Sequence, residues 1–223
     1  MKIRNLLLAV CGVIAGCQSV QMEGRNQTAT YVGDNITVDL RMVWTRAGGQ
    51  GDRDTVSFWT IDTAWARAVG LGDRDTVSVW TIDGLGLDQL LFFSGVAPGA
   101  PLLRIPGVAQ KDMVLYNTTM LPDDVMDMIA GTLGKSGDQQ VRTSALRPVP
   151  FGTLTGFRFD LAFTTEDGLQ MKGMAFFAQR RKKLDVILFV APSEYYFDEY
   201  APTVEKIFSS VQVPDLPAAK PAA

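Results

Sequence analysis

Three successive stretches near the C-terminus restrict the fold more than any other feature of the sequence. Apolar and polar residues alternate over 157–163, which is the period of a strand with one buried face. A turn at 167–168 and a returning stretch at 169–177 predict a tight hairpin. After a basic turn at 180–183, residues 184–191 are continuously apolar, as in a central strand covered on both faces. The pattern predicts an antiparallel set of strands.

Two stretches show the spacing of helices. Pro122 suits a first helical position and Gly134 the position just past a helix end, so a helix is expected between them. Its predicted apolar stripe consists of Leu121, Val125, Met128, Ile129, Thr132 and Leu133. A second stripe follows helical spacing over 193–211. Pro202 lies inside this stripe, so a break is expected there, with the main helix starting near Pro202.

Earlier parts of the chain add shorter strand signals. Residues 35–40 alternate and are rich in β-favouring types, which predicts a first strand. Residues 87–96 predict a buried strand closed by a turn, and further strands are expected at 113–118 and 141–146.

The C-terminal part resembles a known family in its order of motifs. A Gly-Phe-Arg-Phe strand at 156–159 is followed by Met174-Ala175-Phe176, by LDVILFVAP at 184–192 and by EYYFDEYAPTVEKIFSSV at 194–211. This order is similar to the end of PsbP-like α/β sandwiches, most clearly over 154–211. The resemblance implies an α+β fold, a twisted antiparallel β-sheet with helices packed on its faces. The same fold occurs in bacterial lipoproteins and in a Ran-binding transport factor, so it implies no site residues.

An internal repeat departs from that family pattern. Residues 42–62 and 63–83 match at 15 of 21 positions, including GDRDTVS and WTID in both copies. Each copy predicts a hairpin, with a short strand at Trp44 or Trp65, a Gly/Asp turn and a second strand. A duplicated β-hairpin returns the chain to its starting direction, so the strands beyond it stay undisturbed.

The repeat leaves two further interpretations open. Its tryptophans are Trp44, Trp59, Trp65 and Trp80. They are typical of cross-strand packing, although an exposed aromatic face for a glycan, a lipid or a protein is the alternative. Its turns carry Asp52, Asp54, Asp73 and Asp75. These favour solvated turns over calcium ligands, because calcium-binding repeats of this kind need stacking.

The N-terminus predicts a targeting signal over residues 1–16. Lys2 and Arg4 precede an apolar run at 6–14, which is the charge pattern and length of a secretory signal. The run is too short to cross a bilayer as a helix, which takes about 20 apolar residues.

The end of that run carries the most specific motif in the sequence. Ile14-Ala15-Gly16-Cys17 resembles the lipobox of bacterial lipoproteins, and this implies cleavage before Cys17, with diacylglycerol on its thiol and acylation of the new N-terminus. Several acyl chains on one residue give stable anchoring. Gln18 stands where Asp retains such proteins in the inner membrane, which favours the outer membrane, facing the periplasm.

Composition excludes several chemistries. The chain has no histidine, and its two cysteines are Cys11 in the signal and Cys17 at the lipid site. Triads that use histidine or a free thiol, disulfides and thiolate metal sites are therefore excluded, and no cofactor or metal is expected. Losing Lys2 and Arg4 takes the formal net charge from −3 to −5, which argues against nucleic acid as a partner.

These observations predict the organisation of the chain. A lipidated N-terminus and flexible tether at 17–33 should precede a single α+β domain at 34–213. A Pro/Ala-rich tail at 214–223 should be disordered.

Three functions follow, in decreasing order of support. The first is a non-catalytic, membrane-anchored lipoprotein that acts through an envelope protein partner. The second is a carrier of a small apolar ligand or lipid, suggested by Met113, Met126, Met128, Met171, Met174, Phe176 and Phe177. The third is a hydrolase, whose best candidates are Glu194, Tyr195, Tyr196, Asp198 and Glu199, expected near the basic turn at 180–183. A cavity of at least about 300 Å³ would favour the carrier.

Overall fold

The computed structural model describes residues 30–32, 36–42, 44–46, 77–84, 86–105 and 107–213. The strands in this part of the chain are β1 (Thr30–Val32), β2 (Thr37–Asp39), β3 (Thr45–Arg46), β4 (Val77–Thr81), β5 (Gln89–Val96), β6 (Gln139–Phe151), β7 (Leu154–Thr164), β8 (Gln170–Arg180) and β9 (Lys183–Pro192). Two α-helices, α1 (Pro122–Lys135) and α2 (Tyr196–Ser209), accompany them, and Gln110–Asp112 form a 3₁₀ turn.

Seven of these strands form one antiparallel sheet in the order β3-β4-β5-β9-β8-β7-β6. The apolar strand β9 is fourth of the seven, which confirms the central, doubly covered strand that its sequence predicts. Strands β1 and β2 form a separate hairpin, and Thr37 of β2 is bridged to Gln212 after α2.

The two helices cover opposite faces of the sheet. In β9, Val186 and Leu188 lie in one core with α1, whereas Ile187 and Phe189 lie in a second core with α2. Strand β5 divides in the same way, because successive side chains of a strand point to opposite faces. We call these the α1 face and the α2 face. The predicted α+β fold, an antiparallel sheet with helices on its faces, is confirmed.

Helix α1 departs from its predicted ends. It runs past Gly134 to Lys135, and Ser136 caps it, with its Oγ donating to the Thr132 carbonyl at 2.9 Å. Leu121 was expected on the buried stripe but is 62% exposed. It precedes the first turn in an extended conformation, so its side chain does not follow helical spacing.

Helix α2 is continuous, so the predicted break at Pro202 is wrong. Pro202 removes the backbone donor that would reach the carbonyl of Asp198, one turn earlier. Asp198 and Pro202 are both exposed, so water can solvate this carbonyl. Burial of Val204, Ile207 and Phe208 holds the helix against the sheet.

The strand predicted at 113–118 does not form. One bridge joins Leu115 to Pro101, and Tyr116 exchanges backbone hydrogen bonds with Gly99 and Ala100 at 2.8 and 2.9 Å. Pro101 lacks the N–H that a longer ladder would use.

The N-terminal region brings one correction and one new pairing. Residues Thr30–Val32 of the predicted tether form β1, since their β-favouring types pair with β2. In β3, Thr45 pairs with Thr81 and Arg46 with Trp80, which joins the first strand of one repeat copy to the second strand of the other. The predicted hairpin partners at 55–62 and 65–67 lie outside the described residues.

Candidate functional site

An open pocket lies on the α2 face, between the C-terminal half of α2 and strands β6 to β8. Its volume is about 330 Å³. Its lining consists of Val149, Pro150, Gly152, Arg158, Phe176, Glu205, Phe208, Ser209 and Val211. The walls are mostly apolar, and the polar groups converge on the Arg158–Glu205 pair.

Arg158 is the buried charge of this pocket. It alternates with Phe157 and Phe159 along β7, so it points to the α2 face while they point to the α1 face. Its side chain is 13% exposed, and its guanidinium forms ion pairs with Glu205 on α2 and, at 3.4 Å, with Asp160. The Nε is buried and has no hydrogen-bond partner.

Aromatic rings build the apolar wall. Phe176 of β8 stacks on Phe208 of α2 with ring centroids 5.0 Å apart, and it contacts Phe151 in a tilted arrangement at 4.7 Å. Gly156 permits this packing, because a Cβ there would lie 2.7 Å from the Cβ of Phe151. The wall is therefore fixed by the sheet and α2 together.

A carboxylate cluster joins the start of α2 to the β4–β5 turn. Asp88 is 1% exposed and accepts hydrogen bonds from the backbone of Ile82 and Asp83 at 2.7 and 2.8 Å, and from Thr81 Oγ1 at 3.0 Å. Burial, opposed by these hydrogen bonds, raises the pKa of Asp88. The Tyr200 hydroxyl donates a hydrogen bond to Asp83. The pKa of Tyr200 is raised, mainly by burial and secondly by this hydrogen bond. The cluster fastens α2 to the turn.

A second buried carboxylate has a structural task. Asp185 of β9 accepts a hydrogen bond from the Gly95 backbone at 2.8 Å and one from Ser94 Oγ at 3.4 Å. Gly95 has a φ of 71° and lies within the register shift of β5, so Asp185 holds this bulge in place. The Tyr116 hydroxyl is buried without a hydrogen-bond partner. The pKa of Tyr116 is raised, mainly by burial and secondly by the negative charge of Asp185.

The proposed hydrolase residues do not meet the basic turn. Residues 194–199 follow the end of β9, whereas residues 180–183 join β8 to the start of β9, so they lie at opposite ends of the sheet. Tyr195 is 69% exposed, and Lys172 pairs with Asp198 at 3.5 Å on the surface. The expected proximity is wrong, because β9 spans the full sheet between the two groups.

Sequence patterning missed Arg158, which it placed on the polar side of a one-faced strand. The second stripe over 193–211 was the available signal, since a helix packed on that side would bury alternate residues of β7. Cys17, Trp59 and Trp65 lie outside the described residues, as do Asp52, Asp54, Asp73 and Asp75 in the turns of the repeat. In the described part, no group of three or more His, Cys, Asp or Glu side chains is placed to hold a metal ion. No helix there has the length and apolar character needed to span a bilayer.

Comparison with known proteins finds similarity among solved structures only. No family model matches the chain, and no curated protein matches it. The solution structure of cyanobacterial PsbP (CyanoP) from Synechocystis sp. PCC 6803 has a TM-score of 0.48 at 13% identity, covering 91% of this chain and 100% of that one.

Two further structures align over most of the chain. The Ran-binding protein Mog1p of Saccharomyces cerevisiae has a TM-score of 0.43 at 9% identity, covering 85% of this chain and 97% of that one. LpqN of Mycobacterium tuberculosis, involved in cell envelope biogenesis, has a TM-score of 0.34 at 8% identity, covering 85% and 87%. At these scores and identities, neither function nor site residues are carried over.

Proposed function

We propose that this protein is a non-catalytic bacterial lipoprotein that is anchored through acylated Cys17 and presents its α+β domain to an envelope protein in the periplasm. The observation that carries the proposal is the motif Ile14-Ala15-Gly16-Cys17 at the end of a short apolar run behind Lys2 and Arg4. Gln18 favours the outer membrane over the inner one. Several acyl chains on one cysteine supply an anchor that a single chain cannot.

Metabolic labelling tests the anchor. Cells that express the full chain are grown with a radiolabelled or alkyne fatty acid, and the purified protein is examined by mass spectrometry and by detergent phase partitioning. The wild type should carry label at an N-terminal Cys17 and enter the detergent phase. Cys17→Ser should lose both properties. A wild-type mature N-terminus away from Cys17, or a protein that stays in the aqueous phase, would refute the anchor.

The partner is tested in the same cells. Crosslinking followed by pull-down from membranes should recover one envelope protein in stoichiometric amounts with the wild type. The Cys17→Ser chain, displaced from the membrane, serves as the control and should recover less of it. Recovery of no protein above background from either chain would contradict the interaction role.

The α2-face pocket favours a second candidate function, carriage of a small apolar ligand. Its volume of about 330 Å³ exceeds the lower bound of about 300 Å³ for ligand pockets. Phe176 and Phe208 give it an apolar wall, and the guanidinium of Arg158, whose side chain is 13% exposed, gives it a hydrogen-bond donor. A ligand with an apolar body and a single acceptor oxygen matches this lining.

Binding of 2-undecanone, which has that shape, tests the carrier hypothesis. Calorimetric titration of the full chain should show saturable binding that Ser209→Phe abolishes, because Ser209 lines the pocket. Lys206→Phe adds the same ring on an exposed turn of α2 outside the lining, so it should bind like the wild type. Equal binding by all three proteins would place the ketone elsewhere and reject the pocket.

A further inference from the structure

The hairpin that joins β8 to β9 ends in exposed, positively charged residues. Arg180 pairs with Lys183 across a two-residue turn, and both turn residues, Arg181 and Lys182, have positive φ, 50° and 65°. These are the features of a type I′ turn, which projects its residues beyond the end of the sheet. Arg181, Lys182 and Lys183 are exposed, and among the described residues none of the three has an ion pair. We call residues 180–183 the basic tip.

An exposed apolar side chain lies beside the basic tip. The side-chain amide of Gln179 donates to the Met120 carbonyl at 3.1 Å, which places the start of α1 next to the tip. The following residue, Leu121, is 62% exposed. Asp124 accepts from the Leu121 backbone N–H at 2.8 Å, and the exposed Asp123 lies in the same first turn, so two carboxylates partly offset the cations on this side of the tip. Cations next to an exposed leucine are typical of surfaces that contact phospholipid headgroups and the upper acyl region.

The chain reaches the domain at the same end of the sheet. Thr30 pairs with Asp39, whose backbone N–H donates to Ser210 Oγ at 3.0 Å. Residues 211–213, which follow Ser210, lie over Gly152, where an added Cβ would lie 3.0 Å from Val213. Gly152 is in the β6–β7 turn, which emerges from the sheet at the same end as the β8–β9 turn.

The length of the intervening chain matches a domain held close to the bilayer. Only 12 residues separate Cys17 from Thr30. At about 3.5 Å per residue, they reach at most about 45 Å from the anchor. A connection of this length keeps the domain near the bilayer if Cys17 is acylated, and Thr30 lies at the end of the sheet that carries the basic tip.

The opposite end of the sheet is acidic. Its turns and the start of α2 carry Glu166, Asp167, Glu194, Asp198 and Glu199. An anionic surface attracts the basic tip and repels this acidic end, so the charge distribution favours one orientation.

We infer that the basic tip and Leu121 form a docking surface for an anionic phospholipid bilayer, which orients the domain with its acidic end away from the membrane. The orientation rests on the proposed acyl anchor, whereas the affinity for anionic lipid does not. The interaction is electrostatic with a small apolar part, so it should weaken as salt shortens the range of charge attraction.

Vesicle sedimentation with the chain from residue 17 onward, which carries Cys17→Ser and lacks the apolar run within residues 1–16, tests the inference without the anchor. Binding should be measurable on vesicles of phosphatidylglycerol and phosphatidylethanolamine and absent on pure phosphatidylcholine. In that background, Arg181→Asn with Lys182→Gly should lower the partition coefficient about 30-fold, since each cation near the surface accounts for roughly a fivefold change. Asn-Gly is the preferred sequence for a type I′ turn, so the hairpin keeps its fold.

Two further variants separate the contributions. Lys135→Gln with Arg142→Gln removes the same charge from the other end of the sheet, and it should leave partitioning within about twofold of the parent chain. Leu121→Ser supplies a better helix cap, so it should not destabilise α1, yet it should weaken binding about fivefold.

Equal loss in the tip and control pairs would show that net charge alone acts, and it would overturn the docking surface. Binding that does not depend on the phosphatidylglycerol content of the vesicles would overturn it as well. Stronger binding to an acidic protein such as ovalbumin than to anionic vesicles, compared at equal negative charge, would also overturn it. Failure of fatty-acid labelling at Cys17 would remove the orientation and leave the vesicle result standing. The two proposals therefore fail separately.

Discussion

The α1 face and the α2 face are built on the same strands, yet they are packed differently. On the α1 face, Val125, Met128, Ile129 and Leu133 seal against Phe93, Phe159, Leu188 and other apolar side chains. On the α2 face, apolar packing is interrupted by the Arg158–Glu205 pair, by the Tyr200–Asp83 contact and by the open pocket. The α1 face supplies a closed core, and the α2 face holds the groups that a ligand or partner could recognise.

This difference indicates where substitutions affect stability and where they affect recognition. A closed apolar face gains free energy with every buried group, since removing any of them leaves a cavity. A face with buried charge gains less, because the desolvation of Arg158 offsets much of its attraction to Glu205.

The largest expected effect compares one phenylalanine from each face. Phe93→Ala, in the α1-face core, should lower the free energy of unfolding by about 3–5 kcal/mol. Phe208→Ala should cost about 1–2 kcal/mol less than that, because one side of this ring already borders the pocket. Urea denaturation of both variants, fitted with one common dependence of the unfolding free energy on urea concentration, measures the two losses. Equal losses would show that the pocket does not loosen the α2 face.

The ion pair comes next. Glu205→Leu should cost about 2 kcal/mol, because it leaves the guanidinium of Arg158 buried without its nearest partner. Arg158→Met with Glu205→Leu should be within about 1 kcal/mol of the wild type, since two apolar groups fill the same space. A double-mutant cycle by thermal denaturation measures the coupling. A double variant less stable than Glu205→Leu alone would contradict this account.

Asp88 should make stability depend on pH in a predictable direction. Its pKa is raised in the folded protein, so folding favours its protonated form. Its contribution to stability should therefore increase as the pH falls through the folded pKa towards the unfolded value of about 3.9, and decrease as the pH rises. The difference in unfolding free energy between Asp88→Asn and the wild type, measured from pH 4 to 7, should follow that trend.

Asp112→Asn, which changes an exposed carboxylate, provides the comparison for Asp88. If the pH dependence of Asp88→Asn equals that of the wild type, the folded state does not favour the protonated form of Asp88.

Tyr200→Phe removes only the hydrogen bond to Asp83, so it should cost about 1 kcal/mol at neutral pH.

The smallest effect concerns the repeat at the far edge of the sheet. Deleting residues 47–67 joins Arg46 to Ala68 and keeps the sequence pattern of one copy. Because Thr45 and Arg46 already pair with Thr81 and Trp80, the shortened chain should keep that pairing and gain about 1 kcal/mol from its shorter loop. Circular dichroism and chemical denaturation would check this. A loss above about 2 kcal/mol would show that residues 47–67 contribute to the core.

Pattern alone predicted most of the sheet and both helices. The apolar run of β9 indicated a central strand because only burial on both faces accounts for it, and the alternation in β7 identified its α1-face side chains correctly. Local rules failed at Pro202 and at 113–118, where packing against residues distant in sequence decided the outcome, and at Leu121, which precedes the first helical turn in an extended conformation. Arg158 was missed because alternation marks which residues share a face, and not whether a helix covers the other face.

The sequence by itself determined the strand and helix periods, the chemistry excluded by the lack of histidine, and the motif that predicts acylation at Cys17. These are properties of neighbouring residues or of composition, so they are readable without a fold. Only the tertiary structure decided that Arg158 meets Glu205 beside a pocket, and that residues 180–183 and 194–199 lie at opposite ends of one sheet. These distances depend on packing, because the number of residues between two positions does not determine how far apart they lie once strands pair and helices pack across them.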